Sequence, residues 1–122
     1  MGAIGGSEII ATLVGDLSLS SRPMDRVINP LKKMGISFNS INNKLPLIVR
    51  GASDILPIKY ISPISSAQVK TTILLAGLNS KGTSEIIEPY SSRNHSENLL
   101  KHYGADIKYD TKKSGKNSVL IT

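Results

Sequence analysis

The stretch ISPISSAQVKTTILLAGLN, Ile61–Asn79, decides the fold. Two serines, an alanine and a glutamine open it. Beyond Lys70, Thr71 and Thr72 it turns apolar on nearly every side. A helix that is apolar all round is buried among other elements rather than laid on a surface. The stretch therefore predicts a buried helix over Ala67–Leu78, with Ser65 or Ser66 as its cap. The first turn of such a helix carries unpaired N–H donors and the positive end of the dipole. Serine hydroxyls and the Gln68 amide at that point can hold an oxyanion at the floor of a cleft. Plain capping accounts for the same serines, with Gln68 an ordinary first-turn residue, and both readings stand at this level.

Outward from this helix, strand and helix signals alternate. TLV (12–14) is a short β run. RPMDRVINPLKKMG (22–35) places Met24, Val27, Ile28, Leu31 and Met34 at helical spacing. Ser20 or Ser21 is expected to cap that helix, Pro23 to sit in its first turn and Gly35 to stop it. Pro30 lies deep inside it, so a kinked helix is expected. ISF (36–38) and LPLIVRG (45–51) read as paired strands across the turn NSINNK, with Pro46 at a strand start or a sheet edge. A second pass runs through IKYI (58–61), the buried helix and SEIIE (84–88). It goes on to a helix in RNHSENLLKHYG (93–104), with Leu99, Leu100 and Tyr103 inward. ADIKYD and SVLIT close it around the polar turn TKKSGKN.

The two passes echo each other. Arg22 and Arg93 fall at matching points, as do Gly35 and Gly104, about 70 residues apart. The fold class expected is α+β, with α/β-like tandem β-α-β-α-β-β units. Residues 1–51 form a truncated unit that lacks its opening β-α portion, and residues 52–122 form a complete one.

Composition bounds the function. The 122 residues suffice for one modest domain. Without cysteine there is neither a disulfide framework nor a thiolate metal site, and His95 and His102 have no ligand spacing around them, so no metal is expected. No run is long and apolar enough to span a bilayer, and MGAIGGSEII has no basic residues ahead of its apolar part. A cytoplasmic protein without membrane partners is the expectation. The net charge of +6 favours anionic partners. With aromatic residues at only 4%, stacking platforms for single-stranded nucleic acid are scarce, so nucleic acid is an unlikely partner.

Arg22 and Arg93 each precede a helix start, where dipole logic disfavours a cation. An anion held between guanidinium and helix end would resolve the conflict in both copies, and exposed loop arginines are the plainer alternative. GAIGG lacks the Lys-Ser/Thr of a phosphate-binding loop, and no Ser-His-Asp order can be defended around His95.

GDLSLSSRPMDRVINPLKKMG, LPLIVRG, PISSAQVKTTILLAGLNSKGTSEIIEP and SSRNHSENLLKHYGADI occur in that order through nearly the whole chain. Together they resemble the middle of 5-enolpyruvylshikimate-3-phosphate synthases, and the glyphosate-tolerant class most. MGAIGG is similar to the end of a helix in that family. The resemblance implies two domains, each of three β-α-β-α-β-β units. It implies transfer of an enolpyruvyl group from phosphoenolpyruvate to the 5-hydroxyl of shikimate 3-phosphate, with release of phosphate and no cofactor. By the same resemblance Arg22 would grip phosphoenolpyruvate, Ser66 and Ala67 would line the shikimate 3-phosphate site, and Gln68 would touch both substrates. Ser92 and Arg93 would hold the 3-phosphate.

The family's lysine-serine-arginine substrate motif, its Gly-rich segment and the domain with its acidic and lysine catalytic groups have no counterpart here. The chain is therefore expected to be an internal fragment of the substrate-binding domain, with no catalytic residue of its own and little activity alone. The missing unit is expected to leave a flank of the helix Ala67–Leu78 bare, favouring a homodimer or a complementing chain. Related transferases acting on nucleotide sugars share the fold, but RPM and SSAQVK point away from them. A non-catalytic binding or scaffold protein derived from the enzyme, and a small basic RNA-binding module using DTKKSGKN, are the other readings.

Overall fold

In the computed structural model, which describes residues 1–111 and 117–122, twelve elements follow one another. They are α1 (Gly2–Gly5), β1 (Ile10–Leu13), α2 (Leu17–Ser20), α3 (Asp25–Lys33), β2 (Ser37–Ser40) and β3 (Leu47–Arg50). Then come β4 (Lys59–Ile61), α4 (Ala67–Gly77), β5 (Ser84–Glu88), α5 (His95–His102), β6 (Ile107–Thr111) and β7 (Asn117–Ile121). The central residues of the turn TKKSGKN lie outside the described residues, and with them most of the basic stretch considered for RNA.

The strands form two sheets, ordered β1-β3-β2 and β4-β5-β7-β6. In both, the last hairpin of the unit is antiparallel and its second strand lies against the strand that precedes the helix. β4 adds a parallel strand beside β5. Pro46 stands just ahead of β3, where its missing N–H takes no place in the ladder of that central strand.

Period two decides what the second sheet shows its helices. Ser84, Ile86 and Glu88 of β5 alternate onto one face and are all buried. Val119 pairs with Ile86, and Ile121 with Ser84, and both are buried. Apolar core therefore fills most of this layer, and Glu88 closes it at the C-terminal end of β5.

α4 runs through the middle of the molecule. Val69, Lys70, Ile73, Leu74, Ala76 and Gly77 are buried. α1, α3 and α5 pack along it and β5 lies beneath it. This overturns the expected bare flank: between Ala67 and Leu78 only Gln68 and Leu78 are exposed. The cover is α1, which comes so close that a Cβ on Gly2 would lie 2.2 Å from the Thr72 carbonyl oxygen.

α3 buries Val27, Ile28 and Leu31, followed by Met34, as the periodicity requires. Its start differs from expectation. Asp16, accepting from the Leu19 amide, caps a separate short helix, α2. The Ser20 and Ser21 hydroxyls donate back to Gly15 and Ser18 carbonyls, so neither reaches α3. Pro23 lies before Met24, the N-cap residue, and α3 carries Pro30 inside one uninterrupted helix. Gly35 and Gly104 end α3 and α5 with φ of +95° and +91°, a conformation only glycine adopts without strain.

α5 is the second correction. Leu99 is 58% and Tyr103 80% exposed, Leu100 is half-buried, and the fully buried residue of the helix is Glu97. Lys70 beneath α5 demands a carboxylate. Glu97 meets that demand at 2.7 Å, while Leu99 and Tyr103 lie off the core face.

Candidate anion site at the start of the central helix

Three segments meet at the N-terminus of α4: the turn from Asp16 to Met24, the loop Pro63–Ser66, and the loop Pro89–Asn94. Ser66 is the N-cap of α4, with extended backbone (φ −147°, ψ 110°) and its Oγ accepting from the Val69 amide at 3.4 Å. That acceptor role leaves the hydroxyl proton unused among the described residues. Ala67 and Gln68 follow as the first helical residues, whose amides have no intrahelical acceptor. Ala67 is half-buried and Gln68 is exposed.

The loop after β5 is tied to the loop before α4. Ser65 Oγ donates to the Tyr90 carbonyl at 2.6 Å and accepts from the Tyr90 amide at 3.0 Å. Ser92 Oγ donates to the Glu88 carboxylate, with oxygens at 2.8 and 2.9 Å. The Ser66 amide donates to the same carboxylate at 3.0 Å. Beyond Ser92, Arg93 is exposed two residues before α5.

The geometry groups the predicted residues unevenly. Ser66, Ala67, Gln68, Ser92 and Arg93 line one hollow of about 590 Å³. Arg22 lines an adjoining hollow of about 340 Å³, together with Arg26 and Gln68. No single hollow among these takes in both Arg22 and Arg93; Gln68 is the wall they share. Neither arginine has an ion-pair partner among the described residues. No carboxylate lines these hollows, and their titratable lining is Arg22, Arg26, Arg93 and, on the far side of Gln68, His95. Such a surface can bind and orient oxyanions. Among its lining residues no acid–base pair stands ready to move protons. No group of three or more metal-ligating side chains occurs among the described residues.

Two features were missed by sequence reasoning. Arg26 follows Arg22 by four residues, as RPMDRV shows, and lines the same hollow from the first turn of α3. The other is a buried ion cluster just behind the site. Lys70 Nζ lies 2.7 Å from Glu97 and 3.2 Å from Glu88, and all three side chains are at most 3% exposed. Its only sequence signal was a lysine at a core position of an otherwise apolar helix.

This architecture is the enolpyruvyl transferase fold. EPSP synthase from Acinetobacter baumannii superposes with a TM-score of 0.84 at 35% identity, over 97% of this chain and 26% of that one. The enolpyruvyl transferase NikO from Streptomyces tendae shares the fold at 16% identity, with a TM-score of 0.72 over 98% of this chain and 28% of that one. The family model for EPSP synthase (3-phosphoshikimate 1-carboxyvinyltransferase) matches residues 1–121. The chain belongs to the EPSP synthase family. It is 47% identical to the 3-phosphoshikimate 1-carboxyvinyltransferase of Novosphingobium aromaticivorans, over 99% of this chain and 28% of that protein. The chain thus spans about a quarter of the length of the relatives it matches. Among the described residues no helix is long and apolar enough to cross a membrane.

Proposed function

We propose that this chain supplies an anion-binding part of the site at which enolpyruvyl passes from phosphoenolpyruvate to shikimate 3-phosphate. In this reading the 3-phosphate sits against Arg93, with the Ser66 hydroxyl and the first-turn amides of α4 completing its shell. Phosphoenolpyruvate sits against Arg22, and Gln68 lies between the two. Ala67 keeps the wall low, and Ser92 shapes the loop that carries Arg93. The observation that supports it is the shared wall: Gln68 lines both the hollow of Arg22 and the hollow of Ser66 and Arg93.

Alone, the chain is proposed to bind without turning over, because the hollows lined by Arg22 and Arg93 lack carboxylates and lysines for proton transfer. The unit boundaries, 1–51 and 52–122, a cytoplasmic location, and assembly with a second copy or a complementing chain belong to the same proposal. With α4 covered, assembly rests on the need for the remaining catalytic groups rather than on an exposed flank.

Phosphate release from phosphoenolpyruvate plus shikimate 3-phosphate is expected to stay at background with this chain alone. Saturable calorimetric binding of shikimate 3-phosphate is expected in the same preparation. Robust turnover would overturn the first statement, and absence of binding the second.

A further inference from the structure

The buried cluster Lys70–Glu88–Glu97 takes no part in the chemistry proposed above, yet it stands directly behind the anion site. Each charged residue occupies a position that patterning would give to an apolar side chain. Glu88 is the last inward residue of β5, Lys70 lies with Val69 at the start of the buried residues of α4, and Glu97 is the buried residue of α5. Lys70 has three protons and faces three acceptors: Glu97 at 2.7 Å, Glu88 at 3.2 Å and the Ser92 carbonyl at 3.5 Å. Glu88 in turn receives three donors: the Ser66 amide, the Ser92 hydroxyl and the Lys70 ammonium. An ionised carboxylate is an acceptor only.

The directions of these bonds have a consequence. The Ser92 proton is committed to Glu88, so in this arrangement Ser92 has no proton for a ligand. Both functions of the Ser65 hydroxyl are taken by Tyr90. Ser66 alone of the three accepts from its own helix and keeps its proton to give away.

We infer that Glu88, anchored by Lys70 and Glu97, is a positioning residue that clamps the Pro63–Ser66 and Pro89–Asn94 loops and leaves Ser66, rather than Ser92, to donate to a bound anion. Glu88 touches no ligand in this scheme. It acts through Ser66, whose amide it holds at 3.0 Å, and through Ser92, whose hydroxyl it turns inward. Lys70 holds both the carboxylate and the backbone of the loop that carries Arg93. The assignment of the anion as shikimate 3-phosphate rests on the function proposed above; the clamp itself does not.

Two readouts on the full chain separate them. Without ligand, Glu88→Gln is expected to speed amide exchange of Ser66 at least tenfold, and Ser92→Ala to speed that of Tyr90 while Ser66 stays protected. Unchanged exchange in these variants would overturn the clamp. If Glu88→Gln does not fold, Ser92→Ala decides alone.

With shikimate 3-phosphate as the calorimetric probe, Glu88→Gln and Ser92→Ala are each expected to weaken binding about tenfold. The double variant should lose no more than about twofold beyond the worse single, because both remove one clamp. Losses that multiply would mean that Ser92 meets the ligand on its own, and would overturn the assignment of Ser66 as donor. Wild-type chain that fails to bind, with the exchange results as expected, would leave the clamp standing and remove shikimate 3-phosphate as its ligand.

Discussion

Ser65 and Tyr90 are joined by two hydrogen bonds that use one hydroxyl, donated to the Tyr90 carbonyl at 2.6 Å and offered to the Tyr90 amide at 3.0 Å. The pair holds together two loops far apart in sequence, and Tyr90 itself remains 78% exposed. Ser65→Ala should cost about 0.5–1.5 kcal/mol, the usual worth of such a bond. Faster exchange of the Tyr90 amide, with α3 and the β2–β3 hairpin unaffected, is the expected signature in a residue-resolved exchange experiment.

The ion cluster makes a sharper energetic prediction. Lys70→Met leaves Glu88 and Glu97 buried without their cation, and losing one partner of a buried pair costs about 3–5 kcal/mol. Adding Glu97→Gln removes the worse of the two stranded charges and should recover part of that loss. Chemical denaturation of both variants checks this, and equal stability of Lys70→Met and wild type would mean that the cluster is inert.

Gly104 offers a cleaner backbone test. A Cβ there would meet nothing within 4 Å, so space is no obstacle. Its φ of +91° is the obstacle. Gly104→Ala is expected to destabilise the chain by about 1–2 kcal/mol through strain alone. A thermal melt compared with wild type measures it.

Tyr109 titrates unusually. Burial pushes its phenol up from the ordinary value of 10.0, the charge of Glu97 pushes it further, and Lys70 opposes both. The native state thus holds the phenolic proton more tightly than the unfolded chain does. The stability linked to this group is whole below pH 10 and falls as pH rises toward the native value. Ultraviolet titration, read as wild type minus Tyr109→Phe, should place the midpoint above that of a free tyrosine. Glu97→Gln should bring it down.

Much of this architecture was legible because local rules agreed with the fold. The stripe Val27, Ile28, Leu31 and Met34 announced α3, and Gly35 and Gly104 announced two helix ends. SSAQ at the mouth of an apolar helix pointed to a cleft floor, and Ser66, Ala67 and Gln68 do line a hollow there. The failures have separate local causes. Helical spacing puts Leu99 and Tyr103 inward and has no place for a buried charge; the structure buries Glu97 against the Lys70 ammonium and leaves Leu99 and Tyr103 exposed. The start of α3 was missed because Asp16 nucleates an extra helix, and no apolar pattern distinguishes that from a loop. The cover on α4 was missed because GAIG is too short for any periodicity.

The separation of Arg22 and Arg93 into adjoining hollows bears directly on binding. Arg93→Ala should weaken shikimate 3-phosphate far more than phosphoenolpyruvate, and Arg22→Ala the reverse, since each cation faces its own hollow. Arg26→Ala should resemble a milder Arg22→Ala, because both line the same hollow. Competition titrations with the two ligands would read the crossover.

The most direct measurement is calorimetric titration of wild type and Arg93→Ala with shikimate 3-phosphate at low and high salt. The account predicts one saturable site on the wild type, weakened by salt, and a loss of at least tenfold in the variant at low salt. Equal affinity in the two proteins, or no binding by a folded wild-type chain, would contradict it.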